Sequence, residues 1–214
     1  MQTKKQIIKR IITLLEQDYP DPKTELHFQT PHQLLVATIL SAQCTDVRVN
    51  LVTAELFRKY KDVREFAAAD LLKLEQDIRS TGFYHNKARN IIAASRMIVD
   101  GFAGEVPDEM EKLTRLPGVA RKTANVVLSG AFGKEEGIAV DTHLIRLTNL
   151  LGLATSRDPK MIEKELMAVT EQKDWSKLSN LLVLHGRRVC VARKPRCVVC
   201  RLSRICPSAC RCDG

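Results

Sequence analysis

Long apolar runs are missing from the 214 residues: none approaches the length of a membrane span, so a transmembrane helix is not expected. A secretory signal is missing too. Lys9 and Arg10 interrupt the apolar stretch that starts at Ile7, and no small-residue cleavage site follows. No convincing strand, internal repeat or low-complexity segment is present, and no long linker marks a domain boundary. Aromatic residues make up only 5%, so Trp175 and most of the others are expected in the core or partly buried. Acidic residues are outnumbered, 25 against 34 Lys and Arg, and the net charge of +9 favours a polyanionic partner.

What is present is helical periodicity. Ile7, Ile8, Ile11, Ile12, Leu14 and Leu15 line one face of a first helix over 4–17, which ends at the breaker Asp18-Tyr19-Pro20-Asp21-Pro22. A buried apolar helix is expected over 32–41, and another runs to about Tyr60. Further segments are expected over 63–79, 85–102, 108–114, 121–132, 142–151, 159–171 and 175–190. Short connections marked by Gly or Pro separate them, as in all-helical proteins with one large core or two small ones.

Cysteine is concentrated at one end. Cys44 stands alone in an apolar context and reads as a small core residue, while the other six lie between Cys190 and Cys212. Without a secretory signal a disulfide knot is disfavoured and thiolate ligation is the better reading. Cys190, Cys197, Cys200 and Cys206 are spaced C-x6-C-x2-C-x5-C, which suits zinc or an iron–sulfur cluster and does not choose between them. Cys210 and Cys212 add candidate ligands without an assigned role. Seven basic residues and no acidic one fall between Arg187 and Cys206, a surface suited to phosphate.

The segment Leu116-Pro117-Gly118-Val119-Ala120-Arg121-Lys122-Thr123-Ala124 carries the sharpest signal. Pro117 presets one turn residue and Gly118 permits positive φ at the next, so the backbone can reverse. The amides that open the following helix form an anion site, and Lys122 projects from its first turn. Taken alone the motif also fits an ordinary helical turn with a solvated lysine. Asp141, in Val140-Asp141-Thr142-His143, reads as an N-cap that can also face a ligand. His143 could ligate, act as an acid or pack. Gln43 and Asp46 interrupt an apolar region and either cap a helix or present polar groups, and Phe83 in a Gly-containing turn suits an exposed wedge.

With the hairpin lysine, the Val140–His143 segment and the four cysteines in this order, the sequence resembles the endonuclease III family. These are the bacterial members of the helix-hairpin-helix DNA glycosylase superfamily. The likeness runs from Thr24-Glu25-Leu26 through Leu40–Asp46 and Gly82–Ala88 to Cys206. It implies an all-α, two-lobed fold. Residues 24–134 would form a six-helix barrel lobe with the hairpin at about 108–131, and 1–23 with 135–214 a lobe carrying an iron–sulfur cluster.

By position, Lys122 matches the family nucleophile and Asp141 its essential carboxylate. Cys190, Cys197, Cys200 and Cys206 match the ligands of a [4Fe–4S] cluster, a choice the spacing alone leaves open. Gln43 and Phe83 match residues that fill the gap left by a flipped nucleotide; the family often has Leu at the second. Leu116, Gly118, Ala120, Thr142, His143, Arg187 and Lys194 are the other expected DNA contacts. Ala120 departs from the family, which has a second hairpin glycine there. The implied partner is double-stranded DNA with damaged pyrimidines or abasic sites, met by a monomer in the cytoplasm or nucleoid and not at a membrane. The implied activity is removal of oxidised pyrimidines followed by β-elimination through a lysine Schiff base. A monofunctional glycosylase, which would lack the hairpin lysine, and a non-catalytic DNA-structure-binding protein with structural zinc are the competing readings.

Overall fold

The structure, a computed structural model that describes residues 3–209, consists of helices and connecting turns, with no strand among the described residues. Cys210 and Cys212 lie outside the described residues. Eleven α-helices follow in order among the described residues: α1 (Lys4–Glu16), α2 (Pro31–Leu40), α3 (Asp46–Lys59), α4 (Val63–Ala67), α5 (Leu71–Ile78) and α6 (Tyr84–Gly101), then α7 (Met110–Leu113), α8 (Arg121–Phe132), α9 (Thr142–Leu150), α10 (Pro159–Met167) and α11 (Trp175–Arg188). Most start where the local chemistry says they should. Thr3, Thr30, Thr45, Asp62, Asp70, Asp141 and Asp158 each accept a first-turn amide through the side chain. Such caps contribute about 1 kcal/mol apiece. At α1 the arrangement is reciprocal, because the Thr3 amide also donates to Gln6 Oε1 at 2.9 Å.

The chain forms two compact units, Met1–Thr24 with Gly137–Gly214, and Glu25–Glu136. In the first, Ile8, Ile11, Ile12 and Leu15 of α1 join a core with Leu144, Leu147, Leu178, Leu181 and Leu182. Isoleucine and leucine at helical spacing make that stripe, as the periodicity predicts. Trp175 is half-buried against this core and donates its indole N–H to the Thr170 carbonyl at 3.2 Å.

The continuous unit is built around α2. Eight of its ten residues, His32 and Leu34 through Leu40, are buried, and the helix packs against α3, α6 and α8. A helix that is apolar all round needs neighbours on every side. Where the sequence suggests one helix over 63–79, the chain makes two. Asp70 Oδ1 accepts the Lys73 amide at 2.9 Å, starting α5 afresh. Arg96 Nε takes the Ala67 carbonyl at 2.8 Å, where α4 ends. An aspartate side chain competes for amides better than it continues a helix. With this break the unit holds seven α-helices and one short 3-10 turn among the described residues. Two further expectations are corrected. Thr45 and not Asp46 caps α3, and Cys44 is half-buried at the margin of the core.

His32 is one of the buried titratable groups of this unit. Its Nε2 is 2.9 Å from Ser95 Oγ and its ring lies 5.2 Å from that of Phe66. Burial pushes its pKa down to about 4, against a weaker upward pull from Asp62. A depressed histidine leaves stability untouched above pH ~6.5; below it the unfolded chain takes up a proton that the folded one refuses. Stability is expected to fall by about 2 kcal/mol between pH 7 and pH 5 from this group. Urea titrations of the wild type and His32→Gln at both pH values test it. An equal pH response in the two proteins would contradict the assignment.

Candidate functional site

The hairpin in the continuous unit joins α7 to α8. Leu116 and Val119 anchor it, at 2% and 6% exposure, and the Val119 amide donates to the Leu116 carbonyl at 3.1 Å. Pro117 and Gly118 sit between them with Gly118 at φ +78°, the pattern of a type II turn. A β-carbon at Gly118 would come within 2.8 Å of both Cβ and Nδ2 of Asn90 on α6. Only glycine fits this position, for two separate reasons. Leu116 is therefore a core residue, and any ligand contact it makes is through the main chain.

Ala120 is the N-cap of α8, with φ −85° and ψ 167° and no side chain to accept first-turn amides. Alanine takes that extended backbone without strain, so the departure from a second hairpin glycine carries no conformational cost here. Lys122 follows on the first turn and is exposed. Among the described residues it forms no hydrogen bond or ion pair, whereas Lys134, on the loop after α8, is held by Asp108 at 2.5 Å.

Two loops of the same unit hold Gln43 and Phe83. Both are exposed, Phe83 by 64%, and both are left-handed, at φ 54° and φ 49°. They are two of only three non-glycine residues with positive φ among the described residues. Each such residue costs about 1–2 kcal/mol, which the surrounding structure must offset. The support sits beneath them. Lys87 on α6 is 5% exposed and donates to the carbonyls of Leu40 and Thr81, both at 2.8 Å. Burial pushes its pKa down, with the nearby Cys44 acting in the other direction. Sequence reasoning missed Lys87, because a lysine in a polar stretch reads as solvated.

In the discontinuous unit, Asp141 caps α9, its Oδ1 accepting the Leu144 amide at 2.8 Å. Asp141 is half-buried and Thr142 exposed. His143 is half-buried and packs over Gly186 of α11, where an added β-carbon would lie 3.1 Å from its Nδ1. Cys190, Cys197, Cys200 and Cys206 carry free thiols and line one cavity of about 280 Å³, with Leu147 and Leu202. Burial pushes the Cys200 and Cys206 thiols up, and the charges of the other cysteines add to this.

Two polar groups that the sequence did not single out attend this cavity. Arg146 donates to the Cys190 carbonyl at 2.6 Å and approaches its Sγ at 3.5 Å. His185 Nε2 lies 3.4 Å from Cys200 Sγ. Among the described residues no three His, Cys, Asp or Glu side chains converge closely enough to hold a single metal ion. The chain between Cys190 and Cys206 exposes Arg193, Lys194, Arg196, Arg201 and Arg204, while Arg187 at the end of α11 is half-buried.

Residues 36–172 match the family described as HhH-GPD superfamily base excision DNA repair protein. The chain is 54% identical over 209 residues to endonuclease III of Synechocystis sp., covering 98% of this chain and 95% of that protein. Two solved structures, a non-covalent endonuclease III–DNA complex and a trapped endonuclease III–DNA covalent intermediate, each match with a TM-score of 0.91 and 43% identity. They cover 98% of this chain and 97% and 98% of theirs.

The turn geometry makes a stability prediction. Gly118→Ala is expected to cost about 2–3 kcal/mol, from positive φ together with the clash at Asn90. Gly133 has φ +64° and open space around it, so Gly133→Ala should cost only about 1 kcal/mol. Chemical denaturation of both variants measures the difference, and equal costs would mean that Asn90 yields freely.

Proposed function

The chain belongs to the HhH-GPD superfamily of base excision DNA repair proteins, and to the endonuclease III family within it, and on that premise we propose that it excises oxidised pyrimidines from duplex DNA and cuts the strand at the abasic site. The observation that carries this reading is the exposed, unpaired Lys122 on the first turn of α8, directly after the Pro117–Gly118 turn. Backbone amides at the turn and helix start bind phosphate, and the amine stands beside them as a nucleophile.

A base stacked in a duplex is out of reach, so the nucleotide is turned out into a pocket at a cost of a few kcal/mol, least for a damaged base. Gln43 and Phe83 occupy the space it leaves. Lys122 Nζ bonds to the sugar C1′ as the bond from C1′ to the base breaks, and the base departs with a proton. The sugar ring opens to a protonated Schiff base. Loss of a C2′ proton then expels the 3′ phosphate and cuts the strand. Lysine is almost wholly protonated in water at neutral pH, so the attacking amine must first give up a proton. Asp141 spends one carboxylate oxygen on its helix and keeps the other to stabilise the cationic sugar or to accept a proton.

The unit Glu25–Glu136 serves as the barrel lobe with the hairpin, and Met1–Thr24 with Gly137–Gly214 as the cluster lobe. Cys190, Cys197, Cys200 and Cys206 would hold a [4Fe–4S] cluster. Four thiols lining one cavity supply the all-cysteine ligand set that such a cluster takes, and the family membership favours it over zinc. When bound, the cluster supplies a rigid crosslink that fixes the basic loop for phosphate contact. In this reading Arg187, Lys194, Thr142 and His143 of the one unit contact DNA, as does the main chain of Leu116, Gly118 and Ala120 of the other. No helix among the described residues is long and apolar enough to cross a membrane, and a monomer acting in the bacterial cytoplasm fits the reading.

Borohydride reduction in the presence of abasic-site duplex is expected to trap a covalent protein–DNA adduct. Lys122→Gln should abolish it, and Asp141→Asn should slow glycosylase turnover by about 10²–10⁴-fold. Absence of a wild-type adduct would refute the lyase reading, and an adduct in Lys122→Gln would mean another nucleophile. The purified protein is expected to be brown and to contain iron bound by sulfur. Colourless protein with stoichiometric zinc would overturn the cluster assignment.

A further inference from the structure

We propose that Lys87 is a positioning residue for duplex opening: its buried ammonium ties together the two loops that present Gln43 and Phe83 and holds both in their left-handed conformations. The inference rests on the reading of those two residues as the ones that occupy the vacated space. The geometry is direct. One Nζ–H donates to the Leu40 carbonyl, three residues before Gln43, and another to the Thr81 carbonyl, two residues before Phe83. Leu40 ends α2, so its carbonyl is one that the helix leaves without an intrahelical partner. Thr81 ends the short turn ahead of Gly82 and Phe83. The Lys87 amide in turn donates to the Phe83 carbonyl at 3.2 Å, which fixes the start of α6.

Nothing else in the site accounts for this residue. Lys87 is 5% exposed, too deep to touch DNA, and no carboxylate pairs with it among the described residues. Only main-chain oxygens accept from it. An ammonium is a compact donor with three hydrogens at wide angles, so it can serve carbonyls from two separate segments. Gln could reach one of them at most, and Met neither. Neither loop can hold its wedge residue by local preference, since glutamine and phenylalanine both disfavour positive φ. The crosslink sets their spacing and backbone shape before DNA arrives, so that binding energy is not spent on ordering them.

Lys87→Met and the milder Lys87→Gln test the proposal, with circular dichroism melting to establish folding; should the first fail to fold, the second carries the test. Three readouts are compared: kcat/KM on a lesion-containing duplex, fluorescence of 2-aminopurine beside the lesion as a measure of opening, and borohydride trapping on single-stranded abasic DNA. Both variants are expected to lose about 10-fold or more in duplex kcat/KM and in opening, while single-stranded trapping stays within about two-fold of wild type. In a Gln43→Ala/Phe83→Ala background, the same changes at Lys87 should add less than about two-fold, because the residues through which Lys87 acts are gone. Equal losses on duplex and single strand, or a full additional loss in that background, would overturn the proposal. Normal opening by Gln43→Ala/Phe83→Ala itself would overturn the wedge reading and this inference with it. The lyase assignment of Lys122 is decided separately, by adduct formation.

Discussion

The shared ammonium of Lys87 is the constraint around which the continuous unit is arranged. A buried, unpaired cation costs several kcal/mol in lost hydration, and a protein keeps one only where its hydrogen bonds return most of that cost. Here they return it by satisfying the carbonyl at the end of α2 and the carbonyl before Gly82. One turn further along α6, Asn90 closes against Gly118, so the same helix also limits the shape of the hairpin. Three surface loops therefore depend on the first two turns of α6. Each presents something the sequence would not place there unaided: an exposed left-handed glutamine, an exposed left-handed phenylalanine, and a turn that only glycine can make.

The discontinuous unit solves a different problem. Residues 187–206 carry seven positive charges and no negative one, a composition that repels itself. Leu202 at 1% exposure anchors the segment, and Cys190, Cys200, Ile205 and Cys206 pack against the same core. Four sulfurs line a common cavity, and a cluster bound there, as proposed above, would crosslink them. Arg146 braces the main chain at Cys190 from α9, and Gly186 lets α9 and α11 come close enough for it to do so. The charged side chains Arg193, Lys194, Arg196, Arg201 and Arg204 stay exposed, so they do not have to stabilise the loop.

Sequence patterns give access to part of what is decided within a few residues. The helix start at Asp141 follows from a side-chain oxygen competing for a nearby amide, and the Pro117–Gly118 turn follows from fixed and permissive φ. The break between α4 and α5 escaped notice because the apolar spacing over 63–79 continues across Asp70, and spacing carries no information about which amide an aspartate will take. Leu116 was legible as part of the hairpin but not as core, since a leucine beside a turn can face either way. Lys87, Arg146 and His185 were not legible at all. Lys87 joins carbonyls 47 and six residues away, the partners of Arg146 and His185 lie 44 and 15 away, and no local pattern distinguishes these side chains from solvated or merely packed ones.

The sequence by itself determined the all-helical class, the turn before Lys122, the cap at Asp141 and the gathering of thiols with positive charge near one end. These depend on φ preferences, hydrogen bonds within one helical turn, and composition, all of which are local. Tertiary structure alone decided that Ala120 needs no glycine, that Gln43 and Phe83 are both held in left-handed backbone, and that one lysine amine serves two loops. Those outcomes depend on close packing, which brings groups from distant parts of the chain within hydrogen-bond distance and removes the water that would otherwise satisfy them.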